Sequence, residues 1–281
     1  SDIRTLTYAN NTYVAGGDNG VLNTSTDAIV WTLRTSGFAA IIYALTYASG
    51  QPEPYIAAGA SGTLTTSTDA IVWTLRTSGF GTNNIFDLDY ASGQPEPYIA
   101  AGASGRLNTS TNAIVWTLRT SGFGTSIIFD LDYVNNLYVA IGGIINIAGI
   151  LSTSTDAIRW TLRTSGFGID GIRSINYVNN LYYIFGSSGK LATSTDAIVW
   201  QLGNSKSSSA SIILDSILAD NFLMYGSNIG EVGVTLQSGD VGRGGNGFKG
   251  GGGGGGGYEE TINAVGLGGN GGDGYVRISW Y

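Results

Sequence analysis

Hydrophobic and polar positions alternate in short runs along the whole chain. No stretch keeps the three-to-four-residue spacing of an amphipathic helix. Phe86, Leu88 and Tyr90 share one side of one run, and Phe129, Leu131 and Tyr133 share one side of another. Alternate residues of a strand point to opposite faces, so these triplets are expected to be buried. Leu6 and Tyr8, Leu45 and Tyr47, and Ile175 and Tyr177 hold the matching positions. A second run opens on Tyr13, Tyr55, Tyr98, Tyr138 or Tyr182. Glycine-centred turns such as Gly59-Ala60-Ser61-Gly62 follow, where a hairpin needs positive φ. A third run ends in Ser67-Thr68-Asp69-Ala70, and a fourth is expected from Ile71 to Thr77.

This four-run unit is repeated. The anchors Trp31, Trp73, Trp116, Trp160 and Trp200 recur every ~40–44 residues, a period typical of blade-like repeats. Four strands in that length predict one blade of a β-propeller. The expected fold is therefore all-β, a propeller of about six four-stranded blades: five Trp-bearing repeats and a degenerate one. Strands of the last are expected over residues 212–219, 222–225 and 232–237. The repeats would occupy residues 1–238 and a Gly-rich C-terminal segment residues 239–281. The terminal run Tyr275 to Tyr281 reads as a strand. It either closes the sixth blade across a glycine insertion or belongs to a separate tip; closure would leave no lone sheet edge.

Composition narrows the function. Gly is abundant at 45 residues, and charged residues make up only 12% of the chain, so the surface is polar but weakly charged. The net charge of −7 without a basic run argues against nucleic acid, which needs clustered Lys and Arg. There is no Cys and no His, which removes disulfides, thiolate chemistry and the commonest general base. No apolar run is long enough to insert in a membrane as a helix. Ser1 already stands in register with the repeat, as expected of a mature or truncated piece of a longer protein.

Two groups of residues are candidate sites. Asp87, Asp89, Asp130 and Asp132 lie opposite the apolar triplets. If their strands line a channel, one expectation is a Ca²⁺ or other hard-cation site, and the other is a hydrated strand face. Phe38, Phe80, Phe123 and Phe167 follow the fourth strand. They would present aromatic rings among Gly, Thr and Ser for sugar or protein recognition, or else pack between blades. The unbroken glycine run from Gly250 to Gly257 lacks the Lys and Ser/Thr of a phosphate loop.

The box Ser-Thr-Asp-Ala-Ile-Val-Trp resembles the Asp-box of sialidase-type and related propellers. Ala or Ile stands where that box has Gly, the Trp comes one position early, and Asn112 replaces Asp in the third copy. The resemblance implies scaffold roles for Asp27, Asp69, Asp156 and Asp196. Each would accept backbone N–H groups across a turn, and the following Trp would pack between sheets. A sialidase would also need converging arginines. Arg34, Arg76, Arg119 and Arg163 occupy one equivalent repeat position and are expected to lie apart, so no catalytic residue is assigned and the chain is expected to be non-enzymatic.

The repeat with its Trp-Thr-Leu-Arg-Thr-Ser-Gly-Phe ending, and the tract Gly268-Gly269-Asn270-Gly271-Gly272-Asp273-Gly274 running into Tyr275-Val276-Arg277-Ile278, resemble virion and tail-fibre proteins of marine bacteriophages. That resemblance implies a tail fibre or receptor-binding adhesin on the virion exterior. Its partners would be a host cell-surface glycan or protein and other virion proteins, and its assembly a homotrimer. A secreted bacterial propeller lectin or assembly factor is the alternative, and a sialidase-like glycosidase a remote one.

Overall fold

The structure is a computed structural model. It describes residues 2–144 and 148–203 and, beyond them, the strands 215–219, 222–226, 258–259 and 264–265. Among the described residues there is no α-helix, and the strands form five four-stranded antiparallel sheets and two hairpins. The sheets span residues 3–34, 42–76, 85–120, 128–163 and 172–203, and within each the strands lie in chain order. This is the strand order of a propeller blade. The chain divides into two compact units, Ser1–Ile144 with Ile150–Arg163, and Ile145–Gly149 with Thr164–Tyr281. The first holds sheets one to three and most of the fourth, and the second holds residues 148–149 of the fourth, the fifth sheet and the hairpins.

The second sheet shows how the repeat folds. Its strands are Ile42–Tyr47, Tyr55–Gly59, Leu64–Ser67 and Thr74–Arg76. The second strand is buried throughout, whereas Thr74 and Leu75 of the outermost strand are exposed. That outermost strand is shorter than the alternation predicts. Ala70 takes a left-handed φ of 61°, so Ile71 and Val72 belong to a turn and not to the ladder.

Two kinds of turn join the first strand of a sheet to the second. Sheets one, four and five use Asn10–Asn11, Asn135–Asn136 and Asn179–Asn180, each pair at positive φ. Two such residues make the hairpin turn whose twist matches the strands, and Asn tolerates that region. Sheets two and three carry longer loops instead. In the second, Ala48 N–H donates to the Pro54 carbonyl at 2.7 Å and closes the loop.

Apolar clusters bind each sheet of the first unit to its neighbour. Ile56, Ala58, Leu64 and Phe80 of the second sheet region meet Ile85, Leu88, Tyr98 and Ala113 of the third. Ile99, Leu107 and Phe123 meet Ile128, Leu131 and Tyr138 in the same way. One position departs from simple alternation. The first strand of every sheet carries a bulge, and the extra residue is Arg4, Tyr43, Phe86, Phe129 or Arg173. The expected burial of each first-strand triplet is thus corrected. Leu88 and Leu131 are buried, but Phe86 and Tyr90 are only half-buried. Released from the ladder, the Phe86 ring sits 5.1 Å from Tyr43 and 6.0 Å from Phe129, centroid to centroid.

Of the degenerate sixth repeat, Asp215–Ala219 and Phe222–Gly226 pair as an antiparallel hairpin. The strand expected over 232–237 and the terminal run 275–281 lie outside the described residues. So does the Gly-rich segment, apart from the paired strands Tyr258–Glu259 and Ala264–Val265.

Candidate functional site

The box aspartates hold turns. Asp69 Oδ1 accepts the backbone N–H of Ile71 at 2.8 Å and of Val72 at 3.0 Å, and the Ser67 hydroxyl at 3.1 Å. Asp27, Asp156 and Asp196 repeat the pattern, and Asn112 does so with its amide oxygen. The backbone amides of Val72 and Ile71 outweigh burial and hold the Asp69 carboxyl below the usual range. The indole N–H of Trp73 donates to the Ala70 carbonyl at 3.0 Å, and Trp31, Trp116, Trp160 and Trp200 do the same in their own copies. Trp116 and Trp160 pack against the clusters between sheets. Trp31, in the first sheet, is exposed.

The phenylalanine rim is corrected. Phe80 and Phe167 are 0% exposed and Phe123 2%, while Phe38 is half-buried against the cluster of Val14, Leu22 and Ile42. The cause is local. Ser78 donates its hydroxyl to the Gly62 carbonyl at 2.6 Å and accepts the Phe80 N–H at 3.1 Å, which draws the ring beneath the glycine turn. Gly62 has φ +67°, and a Cβ there would fall 2.3 Å from the Gly81 carbonyl. The ring has no face left for a ligand.

The metal site is corrected as well. Among the described residues no three carboxylates converge on a point. Asp87 Oδ1 accepts the Leu88 N–H at 2.8 Å, and Oδ2 accepts the Leu131 N–H of the next sheet at 2.8 Å. Asp89 Oδ1 accepts the Tyr90 N–H at 2.7 Å, while its Oδ2 is buried without a hydrogen-bond partner. Both Asp87 oxygens and one of Asp89 are therefore engaged by strand amides. Burial pushes the Asp87 carboxyl well above the usual range, and neighbouring Asp130, hydrogen-bonded to it, adds to the rise. Burial likewise pushes Asp89 up to about 6, and it raises Asp132.

A third arrangement joins an outer-strand arginine to a loop glutamate. Arg76 Nε donates to the Thr66 hydroxyl at 2.9 Å, and its Nη2 lies 2.5 Å from both oxygens of Glu53. Thr66 also donates to Glu53. Glu53 comes from the long loop between the first two strands. Burial pushes its carboxyl up, but the Thr66 and Arg76 hydrogen bonds outweigh that and hold it below the usual range. Arg119, Thr109 and Glu96 repeat the triad in the third sheet. Aligning the repeats could have found it, because Glu appears only where the loop is long. Arg34 and Arg163 keep the threonine partner, Thr24 and Thr153, at 2.9 Å. Each guanidinium is thus tied to its own sheet, and the four do not gather on one ligand.

No family model matches the chain, and no curated protein matches it. Solved structures do. A structure of YCF48 bound to D1 peptide aligns with a TM-score of 0.58 at 13% identity, covering 79% of this chain and 74% of that one. The computationally designed Ika8 protein aligns at 0.62 and 14% identity, covering 83% and 70%. The WD40 β-propeller domain of Doa1 aligns at 0.58 and 10% identity, covering 81% and 79%. At these identities the likeness is one of fold, and together with the five four-stranded sheets it makes this chain an all-β protein of β-propeller architecture.

Proposed function

We propose that the chain is a non-enzymatic recognition protein of a bacteriophage exterior, a tail fibre or receptor-binding adhesin that engages a host surface glycan or protein. The observation that carries this reading is a repeated set of exposed uncharged side chains. Val72, Thr74 and Leu75 are exposed, and so are their equivalents Val30, Thr32 and Leu33, and Val115, Thr117 and Leu118. Of the charged side chains nearby, Arg76 pairs with Glu53 and Arg119 with Glu96, and the exposed Asp27 and Asp69 are bonded to turn amides. Repeated weak contacts on one body add through avidity when the opposing surface is also repetitive. The resemblance of the repeat and of the Gly/Asn tract to virion proteins supplies the setting. A propeller of this fold, YCF48, is seen with a bound peptide, so protein partners suit the scaffold too. The non-enzymatic part rests on the dispersal of Arg34, Arg76, Arg119 and Arg163 and on the bonding of Asp87 and Asp89 to strand amides.

The test is adsorption competition. Purified chain at saturating concentration is expected to reduce attachment of the parent particle to its host, and antibody labelling is expected to mark the particle's outside. Labelling confined to the capsid wall or the interior of the tail tube would overturn the reading. Turnover of a sialoside that co-purifies with the chain would overturn its non-enzymatic part.

A further inference from the structure

The fourth sheet keeps two parts of the triad and lacks the third. Arg163 Nε donates to the Thr153 hydroxyl at 2.9 Å, as Arg76 does to Thr66 and Arg119 to Thr109. In sheets two and three the long loop delivers Glu53 or Glu96 to this pair. In the fourth sheet the connection is the two-residue turn Asn135–Asn136, which delivers no carboxylate. A cavity of ≈ 300 Å³ lies beside the pair, lined among others by Leu137, Thr153, Asp156, Arg159, Thr161 and Arg163.

Arg159 sharpens the contrast. The same repeat position holds Val30, Val72, Val115 and Val199 elsewhere, so a second guanidinium enters only in the repeat where the cavity lies beside an unfilled Arg–Thr pair. Among the described residues, neither Arg159 nor Arg163 has a carboxylate within ion-pair distance. Asp156 also lines the cavity and its charge interacts with that of Arg159, while its Oδ1 is taken by the amides of Ile158 and Arg159 and by the Ser154 hydroxyl. Two guanidinium groups against one carboxylate leave a net positive site. A guanidinium presents paired N–H donors that match a carboxylate in two-point geometry.

We infer that this cavity binds the carboxylate of an acidic sugar, a hexuronate residue of a glycan. Glu53 and Glu96 show within this same chain which chemical group an Arg–Thr pair of this kind accepts. The cavity offers more room than a glutamate side chain needs, and the hydroxyls of Thr153 and Thr161 around it suit ring hydroxyls. The inference deepens the recognition role proposed above and rests on it for the choice of a sugar acid over a peptide carboxylate.

The experiment titrates the full chain with galacturonate and, separately, with galactose and a glutamate-containing tripeptide, followed by calorimetry or chemical-shift changes. Saturable galacturonate binding is expected, with a Kd on the order of 1 mM and none for galactose. Arg163→Gln is expected to weaken it roughly 10-fold or more, and Arg159→Val several-fold. In a further variant, residues 134–137 are replaced by the Ala48–Pro54 loop of the second sheet. That loop is native to the repeat, and its Glu is expected to occupy the site and abolish binding. Equal binding of galactose, tighter binding of the tripeptide, or undiminished galacturonate binding in the loop variant would each overturn the inference. Adsorption competition reads the recognition role separately: its failure alongside intact galacturonate binding would remove that role and leave the pocket standing.

Discussion

Asp87 bridges two sheets, with Oδ2 accepting the Leu131 N–H at 2.8 Å and Oδ1 accepting its own neighbour Leu88 at the same distance. The carboxylate does for exposed strand edges what a further strand would do. It pays by losing water, and burial raises Asp87, Asp89 and Asp132.

A pH dependence follows. A carboxyl raised in the fold contributes fully below its ordinary value, near ~3.9, and its contribution is lost as pH climbs through the folded value, about 6 for Asp89. The box carboxylates Asp27, Asp69, Asp156 and Asp196 are depressed, so theirs is present above the ordinary value and lost as pH falls through the lowered one. Thermal melts across pH are expected to show a maximum on the mildly acidic side, declining from about pH 4 toward about pH 6. Asp89→Asn should flatten that decline. A wild-type melting temperature that stays level across this window would refute the assignment.

Asp69→Ala removes the acceptor of two turn amides and a hydroxyl. The expected cost is about 2 kcal/mol, and Asp69→Asn should cost less than half of that, because Asn112 already performs the task in the third sheet. Chemical denaturation of the two variants side by side checks the ratio.

Ala28 and Ala70 both sit at left-handed φ, 59° and 61°. A non-glycine residue there costs roughly 1–2 kcal/mol. Ala28 is exposed, whereas Ala70 is 0% exposed and packs in a cluster. Ala28→Gly is therefore expected to raise the melting temperature. Ala70→Gly should leave it nearly unchanged, since the buried methyl, worth about 0.8 kcal/mol, is lost along with the strain. Equal stabilisation by both would show that burial of the methyl contributes nothing.

Phe80→Ala should destabilise by about 3–5 kcal/mol, as expected for a large ring removed from a closed cluster. Phe38→Ala, at a half-buried site, should cost clearly less. A fully stable Phe80→Ala variant would return that ring to the surface.

Val30→Arg is expected to add a second galacturonate equivalent. The first sheet already has the Arg34–Thr24 pair and a two-residue turn, and Val30 stands where the fourth sheet has the companion guanidinium. Stoichiometry in the titration decides it.

The strands and their order were legible because alternation and the tryptophan period survive in every copy. The turn role of the aspartates was legible too, since a side-chain acceptor two residues before free amides leaves few options. The direction of Phe80 was not. It depends on a hydrogen bond between Ser78 and Gly62, far apart in the chain, which no local pattern encodes. The role of the first-strand carboxylates was not legible for a similar reason: the repeat sets Asp87 and Asp130 at equivalent positions but does not encode that the Asp87 oxygens accept the Leu88 and Leu131 N–H groups. The Glu53–Arg76 pair spans a loop and an outer strand, and its meaning appears only when the sheet lacking the glutamate is set beside it.

The bulge in each first strand has a consequence for variation. Arg4, Tyr43, Phe86, Phe129 and Arg173 stand outside the ladder, so exchanging one of them shifts no strand register and disturbs no pairing. The residue before each is the same in every copy: Ile3, Ile42, Ile85, Ile128 and Ile172. The scaffold thus separates what must stay constant from what is free to differ, giving each repeat one replaceable letter in an otherwise fixed word. Substitutions can accumulate at those letters without refolding the page they are printed on.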